Sequence, residues 1–399
     1  MNDLATKSQL PPPTERIPVL RWLKQNLFSN GFNALLTLAS AALIVVVLYS
    51  LARWAIAEAR WEVIPANLKL LFVGTYPIDQ VWRVWSVLTL IGLLLGLSAG
   101  RRRGLIRRIA FVAAGASAAL AVVPFSLSTR GWLLGCAGAV AFGFGLGWLL
   151  PSSRWIRRLE VSLWILSFPL TLIVLNGVGG PLPVIEGRNQ WGFLLNLLGA
   201  AVGIGLSLPI GVLLALGRRS RLPAIRWVCT AYIELIRGVP LISLLFMASI
   251  MLQLLLPDSF RPDLVIRAML TITAFSAAYM AENVRGGLQS IPKGQYEAAY
   301  AVGLNGFLTT LLIILPQALR AVIPAIVGQF IALFKDTTLF AHIAILEILS
   351  ISRSVLGNLE WRGTIFELYV FIGVVFWILC YAMSAVSRRI ERSLGVGER

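Results

Sequence analysis

Apolar residues along this chain come in unbroken runs, not in alternation and not as a stripe on one helical face. The runs last roughly 18 to 26 residues, long enough to cross a hydrocarbon core about 30 Å thick. In lipid every backbone polar group must find its partner within the segment or in a closed barrel. Continuous runs without alternation favour helices, so the chain is expected to be an all-α, polytopic membrane protein with about ten transmembrane helices. Five spans are expected at 33–54, 84–99, 109–126, 131–150 and 160–177, and five more at 191–216, 232–256, 264–283, 317–334 and 366–387. The second and fifth are short enough to read as tilted or re-entrant pieces.

Composition supports this reading. Charged residues make up 13% of the 399, against about 25% in soluble domains. The net charge of +17 would suggest nucleic acid in a soluble protein. Here the basic residues sit between apolar runs, so they report topology and no nucleic-acid partner is expected. With the N-terminus inside, the expected cytoplasmic segments 1–32, 100–108, 151–160, 217–231, 284–306 and 388–399 carry about twice the Lys and Arg of the outer ones. Short loops carry the bias most clearly, as in Arg101–Arg102–Arg103, Arg107–Arg108 and Arg154, Arg157, Arg158. Both termini are therefore expected in the cytoplasm.

The polar N-terminus, Met1 to Leu20 with Pro11, Pro12 and Pro13, lacks an apolar core and is not expected to be a cleaved signal peptide. It reads as a disordered tail. Cys136, Cys229 and Cys380 are widely spaced and indicate neither a zinc site nor a disulfide framework. Trp54, Trp61, Trp82 and Trp85 flank spans one and two as an interfacial belt.

The two halves differ in texture. Residues 1–180 hold little polar punctuation within spans, whereas 191–387 contain Pro209, Pro240, Pro316, Pro324, Asn283 and Gln329. Breaks and polar groups at membrane depth survive where they face protein or a water-filled cavity, so the working part is expected in the second half. No internal repeat relates the halves, which counts against an inverted-repeat carrier.

The strongest motif is EAAYAVGLNGFLTTLLIILP, Glu297 to Pro316. Pro292 can open a helix and Gly303 can close it, leaving about three turns in a cytoplasmic loop. Ala298 and Ala299 leave room for another surface, and Glu297 offers it a charge. The spacing EAA, three residues, Gly, nine, Ile, one, Leu-Pro resembles the EAA signature of binding-protein-dependent ABC importer permeases, at Glu297, Ala298, Ala299, Gly303, Ile313, Leu315 and Pro316. Chance agreement at these seven positions is on the order of once in 10⁸ starts.

The stretches at 216–241, 277–299 and 315–339 are similar to the subfamily serving polar amino acids, with Val239, Phe334 and Thr338 as departures. The whole chain resembles the extended M-type permease of general L-amino-acid importers. That resemblance implies a type I importer core at 191–387 with a coupling helix near 290–303. Residues 33–180 would be an accessory membrane region, 181–190 a periplasmic linker, and 1–32 and 388–399 cytoplasmic tails. It further implies a bacterial inner-membrane location, a second permease in a heterodimer, two ATP-binding subunits and a periplasmic binding protein. ATP and Mg would sit on the ATPase partners, and no cofactor is expected in this chain.

No GxxxxGK[ST], HExxH or GxSxG occurs, so the chain reads as a non-catalytic subunit. Its one histidine, His342, reads as a surface or interface residue. Candidates for a substrate path or gate are Arg237, Tyr279, Glu282, Gln329, Lys335 and Asp336. Glu282 reads equally as a cavity carboxylate near the substrate ammonium or as a partner of Arg285 at i,i+3. Arg237 offers a planar fork to a carboxylate, or caps a loop or meets lipid phosphate. Gln329 offers a hydrogen bond to substrate or to a neighbouring helix, and Lys335 and Asp336 an outer gate or an interfacial pair. The competing readings are an ion-coupled secondary amino-acid carrier, which would use Glu282 and Glu367, and a membrane scaffold. Lipid is expected around the spans.

Overall fold

The structure is a computed structural model that describes residues 19–150, 153–180, 182–185, 191–257 and 262–395. Among these residues there is no β-strand, only the isolated bridges Gly179–Leu182 and Gly192–Glu347. The chain divides into two compact units, Met1–Trp61 and Glu62–Arg399.

The first unit holds α1 (Val19–Asn26) and α2 (Gly31–Arg53). α1 overlaps the segment expected to be a disordered tail only at Val19 and Leu20; the rest of that expectation, residues 1–18, lies outside the described residues. Asn30 caps α2 by accepting from the Asn33 amide at 2.7 Å, which satisfies one of the orphan donors at a helix start. A π turn, Trp54–Glu58, extends α2, and Trp61 meets Trp54 edge-on at 5.6 Å.

The second unit begins with α3 (Val63–Val73), α4 (Trp82–Arg101), α5 (Leu105–Leu120), α6 (Leu127–Leu149) and α7 (Arg154–Asn176). It continues with α8 (Gly192–Arg218), α9 (Pro223–Gly238), α10 (Leu241–Phe246), a π turn at Met247–Met251, α11 (Leu252–Leu255) and α12 (Leu264–Ser290). Then come α13 (Lys293–Ala301), α14 (Gly306–Leu308), a π segment at Thr309–Ile314, α15 (Leu315–Ala321) and α16 (Ile323–Asp336). A 3-10 stretch at Thr337–Ile343, α17 (Ile348–Leu356) and α18 (Ile365–Leu394) complete it.

Among the described residues eight helices are long and apolar enough to cross a membrane, or nine if the bent pair α9 and α10–α11 is one span. The expected ten therefore shrinks. The span expected at 109–126 is α5, whose 16 residues rise only about 24 Å, and the span expected at 131–150 starts earlier, at Leu127. Arg130, expected in the loop between them, lies in the first turn of α6 and donates to the Ala121 carbonyl at the end of α5 at 2.9 Å. The second and fifth spans, expected to be short, are unbroken helices of 20 and 23 residues, α4 and α7.

The opposite correction applies in the second half. The single span expected at 232–256 is broken at Val239–Pro240, and its two pieces bend by 105°. Pro240 has no N–H and keeps the residue before it extended, as Val239 is at φ −111°, ψ 135°. The span expected at 317–334 is interrupted at Val322, just before Pro324.

α4 and α6 pack backbone to backbone. A Cβ on Gly96 would strike the Val140 carbonyl, and one on Gly147 the Leu97 carbonyl. Small residues let helices approach this closely where lipid supplies no hydrophobic drive between them. α3, eleven residues in a segment expected to be an outer loop, docks onto the rest of the unit. Leu71 is fully buried, and Phe72 meets Phe193 of α8 at 5.6 Å and Phe371 of α18 at 6.2 Å. Tyr76 follows it, donating to the Leu175 carbonyl at 2.8 Å, and burial raises its phenol pKa.

Candidate functional site

The EAA segment forms a short helix with both ends closed. Pro292 stands one position before α13 as its cap residue, one residue earlier than the position the sequence suggested. At the far end the Gly303 amide donates to the Tyr300 carbonyl at 2.9 Å, and the Leu304 amide to the Ala299 carbonyl at 3.1 Å. This pair of bonds is a Schellman stop. It requires a left-handed residue at Gly303, whose φ is +82°, where glycine carries no Cβ penalty. Asn305 then caps the following turn, accepting from the Leu308 amide at 2.9 Å.

The motif residues divide between two faces. Glu297, Ala298, Gly303 and Pro316 are exposed. Ala299, expected to face another surface, is instead 4% exposed and turned into the chain. Ile313 and Leu315 join an apolar cluster with Ala215 of α8, Ile233 of α9 and Leu288 of α12. Gln317 donates to Gln295 at 3.0 Å, and Arg219 to the Tyr296 hydroxyl at 3.4 Å. The loop is thus anchored on its inner side and presents Tyr300, Val302 and Phe307 outward. Arg219, Arg221, Tyr296, Tyr300, Phe307 and Thr310 line a cleft of about 830 Å³ beside it.

Next to this anchor the structure gathers three of the path candidates. Glu282 of α12 accepts from Arg218 of α8 at 2.6 Å and from Arg285 at 2.7 Å, and pairs with Arg237 of α9 at 3.5 Å. Arg218 also meets Glu234 at 2.7 Å. The Arg237 guanidinium lies over the Tyr279 ring, 5.3 Å from its centre. The Arg285 partner weighed from the sequence is present, but so are two more guanidiniums from other helices. Three cations around two carboxylates leave an excess of positive charge, so this cluster attracts a carboxylate more readily than an ammonium. Arg218 and Glu234 were not among the path candidates, although both lie in the stretch 216–241 that resembles the amino-acid subfamily.

The other candidates stand apart. Gln329 of α16 donates to Ser276 of α12 at 3.4 Å, a helix-to-helix bond. Lys335 and Asp336 end α16, and no ion pair joins them among the described residues. His342 is exposed and borders a cavity of about 470 Å³ with Arg267, Gln253 and Asp263. Arg267, 7% exposed, donates to the Ala248 carbonyl at 3.1 Å and to Gln253 at 3.3 Å. The Ala248 carbonyl, and that of Ser249, which Arg267 also meets, belong to the π turn, where an i−4 ladder is broken.

One buried network lies near the ends of α8 and α16. Asn196 donates to Glu347 at 3.1 Å and to Thr337 at 3.0 Å, and all three are fully buried. Glu347 caps α17 by accepting from the Ser350 amide at 2.9 Å. Burial raises its carboxyl pKa above the ordinary range, opposed by the bonds it accepts.

Comparison with known proteins agrees with this architecture. Residues 207–396 match the family described as binding-protein-dependent transport system inner membrane component. The glutamate/glutamine/aspartate/asparagine transport system permease protein BztC of Rhodobacter capsulatus is 34% identical, over 96% of this chain and 95% of that protein. The inner membrane amino-acid ABC transporter permease protein YhdY of Escherichia coli is 34% identical, over 94% of this chain and 93% of that protein. The L-cystine transport system permease protein TcyB of Bacillus subtilis is 33% identical over 53% of this chain and 87% of its own length.

Proposed function

Because the chain belongs to the family of binding-protein-dependent transport-system inner-membrane components, among the permeases of amino-acid ABC transporters, we propose that it passes polar L-amino acids, acidic and neutral, across the bacterial inner membrane by alternating access. It is a multi-pass, non-catalytic membrane subunit of an importer that works with ATPase and substrate-binding partners. In the proposal the second permease is a different chain, both termini face the cytoplasm, and ATP with Mg is held by two partner ATPases. The substrate class rests on the relatives, one of which is named for glutamate, glutamine, aspartate and asparagine.

The observation that carries the coupling role is α13, a rigid short helix exposed on one face and anchored by Ala299, Ile313 and Leu315 on the other. A partner ATPase pushing on Glu297, Ala298 and the exposed end near Gly303 moves the ends of α8, α9 and α12 together. The Glu282 cluster ties the same three helices, so it passes that motion toward Arg237 and Tyr279. Arg237 receives the substrate carboxylate, Gln329 borders the path, and Lys335 with Asp336 guards its other end. The ion-coupled carrier is not supported: its coupling carboxylate, Glu282, is already engaged by three arginines, and the relatives are ABC permeases.

The test is uptake into proteoliposomes holding this chain, its partner permease, the ATPase and a binding protein, with labelled polar amino acids. ATP-dependent uptake that requires the binding protein is expected; uptake driven by an ion gradient alone overturns the proposal. Gly303→Asp should lower transport at least about tenfold while ATP hydrolysis persists, because a side chain and a charge enter the left-handed stop of α13. Wild-type transport by that variant removes the coupling role.

A further inference from the structure

One end of the accessory helices holds a charge arrangement that the transport reading does not use. Glu160 lies two turns into α7 and is 2% exposed. One of its oxygens meets Arg101 at 3.2 Å and the other meets Arg102 at 3.1 Å, both at the end of α4. Arg101 is almost wholly buried, whereas Arg102 is half exposed. With both oxygens committed, Glu160 fixes two guanidiniums side by side. Arg157, one helical turn earlier on α7, joins Arg101, Arg102 and Glu160 around an open cavity of about 360 Å³. It has no carboxylate partner among the described residues. Three cations face one anion, so the cavity carries an unmet positive charge.

A second cavity, of about 390 Å³, shares Arg102 and Glu160 with the first and, apart from Ser98, is otherwise lined by large apolar side chains, among them Leu95, Ile106, Val161 and Trp164. Trp164 is held in place by donating to Ser98 at 3.0 Å. Ile165, also on its wall, is 67% exposed, on a helix long and apolar enough to cross a membrane. The arrangement is therefore a cationic pocket adjoining a largely apolar groove, bordered by the exposed apolar side of α7. Neither half alone selects a ligand. Together they match an anion joined to an acyl chain.

We propose that this is a binding site for an anionic phospholipid, with its phosphate on Arg102 and Arg157 and one acyl chain along Val161 and Trp164. Arg presents a forked donor that suits phosphate, and basic pockets between helices at the membrane surface accept anionic headgroups. The groove is what separates a lipid from free phosphate, which would use only the cationic half. The site stands independently of the transported substrate. It also gives the accessory helices a use, as a lipid-tethered wall beside the transport core.

The full chain, purified in detergent with the subunits that accompany it, is followed by native mass spectrometry. Palmitoyl-oleoyl phosphatidylglycerol or phosphatidylcholine of the same tails is titrated in, with inorganic phosphate as competitor. Phosphatidylglycerol should be retained preferentially. Arg157→Gln, which removes no ion pair, should weaken it about fivefold, and the double variant Arg102→Gln/Arg157→Gln by more than tenfold. Val161→Trp, which narrows the groove without changing charge, should weaken it as well. Arg226→Gln, on a basic surface elsewhere, should change nothing. Equal retention of phosphatidylcholine, or unchanged retention in Arg157→Gln, overturns the site. Displacement of the lipid by millimolar phosphate, or indifference to Val161→Trp, shows a free-anion pocket and overturns the lipid assignment. Thermal melting of each variant identifies loss of fold, and the two single variants stand if the double one does not fold.

Discussion

Helices α4 to α7 and helices α8 to α18 belong to one membrane protein but are built on different principles. The first set is continuous, and its central pair approaches through glycine, with Gly96, Gly100, Gly143 and Gly147 set against opposing backbone. The second set is interrupted at Val239–Pro240, at the π turn Met247–Met251 and at Val322. Polar side chains tie this set together: Arg267 satisfies carbonyls at the π turn, and Arg218, Arg237 and Arg285 surround Glu282. Continuous helices in close contact have one packed arrangement and resist deformation. Broken helices tied by ion pairs can exchange partners at modest cost, as a moving element requires. Under the proposed function the first set serves as a wall and the second as the moving part. The match to the transport-system family, residues 207–396, falls within the second set.

The largest effect that sharpens this contrast should come from Gly96→Leu. Its side chain would enter the Val140 backbone and should lower stability by about 3 kcal/mol or more, read as a drop in thermal midpoint in detergent. Gly205→Leu in α8, where a Cβ meets nothing within 4 Å, should be nearly neutral. If the two variants melt alike, glycine packing is not what holds the wall.

A smaller loss is expected from Glu282→Gln. It leaves three arginines with Glu234 as their remaining carboxylate and should cost roughly 1–3 kcal/mol, with transport falling further than stability. If transport survives at the wild-type rate, the cluster does not carry motion from α13.

The smallest effect concerns Glu347. Its folded-state pKa is raised by burial, so the folded protein binds the proton more tightly than the unfolded chain. The stability from this group is fully present below the ordinary glutamate pKa and is lost as pH rises through the raised value. Glu347→Gln should flatten the pH dependence of the thermal midpoint in that window and leave the melting at acid pH nearly unchanged. A parallel pH profile in both proteins would show that Glu347 is not the titrating group.

The chain's own sequence determined a good deal. The apolar runs dictated helices, because no other open structure satisfies a backbone in lipid. The EAA spacing placed Glu297, Ala298, Ala299, Gly303, Ile313, Leu315 and Pro316 in one loop, and Pro292 with Gly303 bounded its helix, because caps and left-handed stops are local and demand particular residues. Arg285 was legible as a partner of Glu282 for the same reason, lying one turn away. What only the tertiary structure decided was everything that depends on separate helices meeting. Arg218 joins Glu282 from 64 positions away, and Glu160 receives Arg101 from 59. Ala299 turns inward although its motif suggested an outer face. The docking of α3, the 105° bend at Pro240 and the shortness of α5 were equally hidden. Hydropathy measures how each segment prefers lipid, but which charges neutralise one another at depth is set by helices that lie adjacent only once the chain has folded.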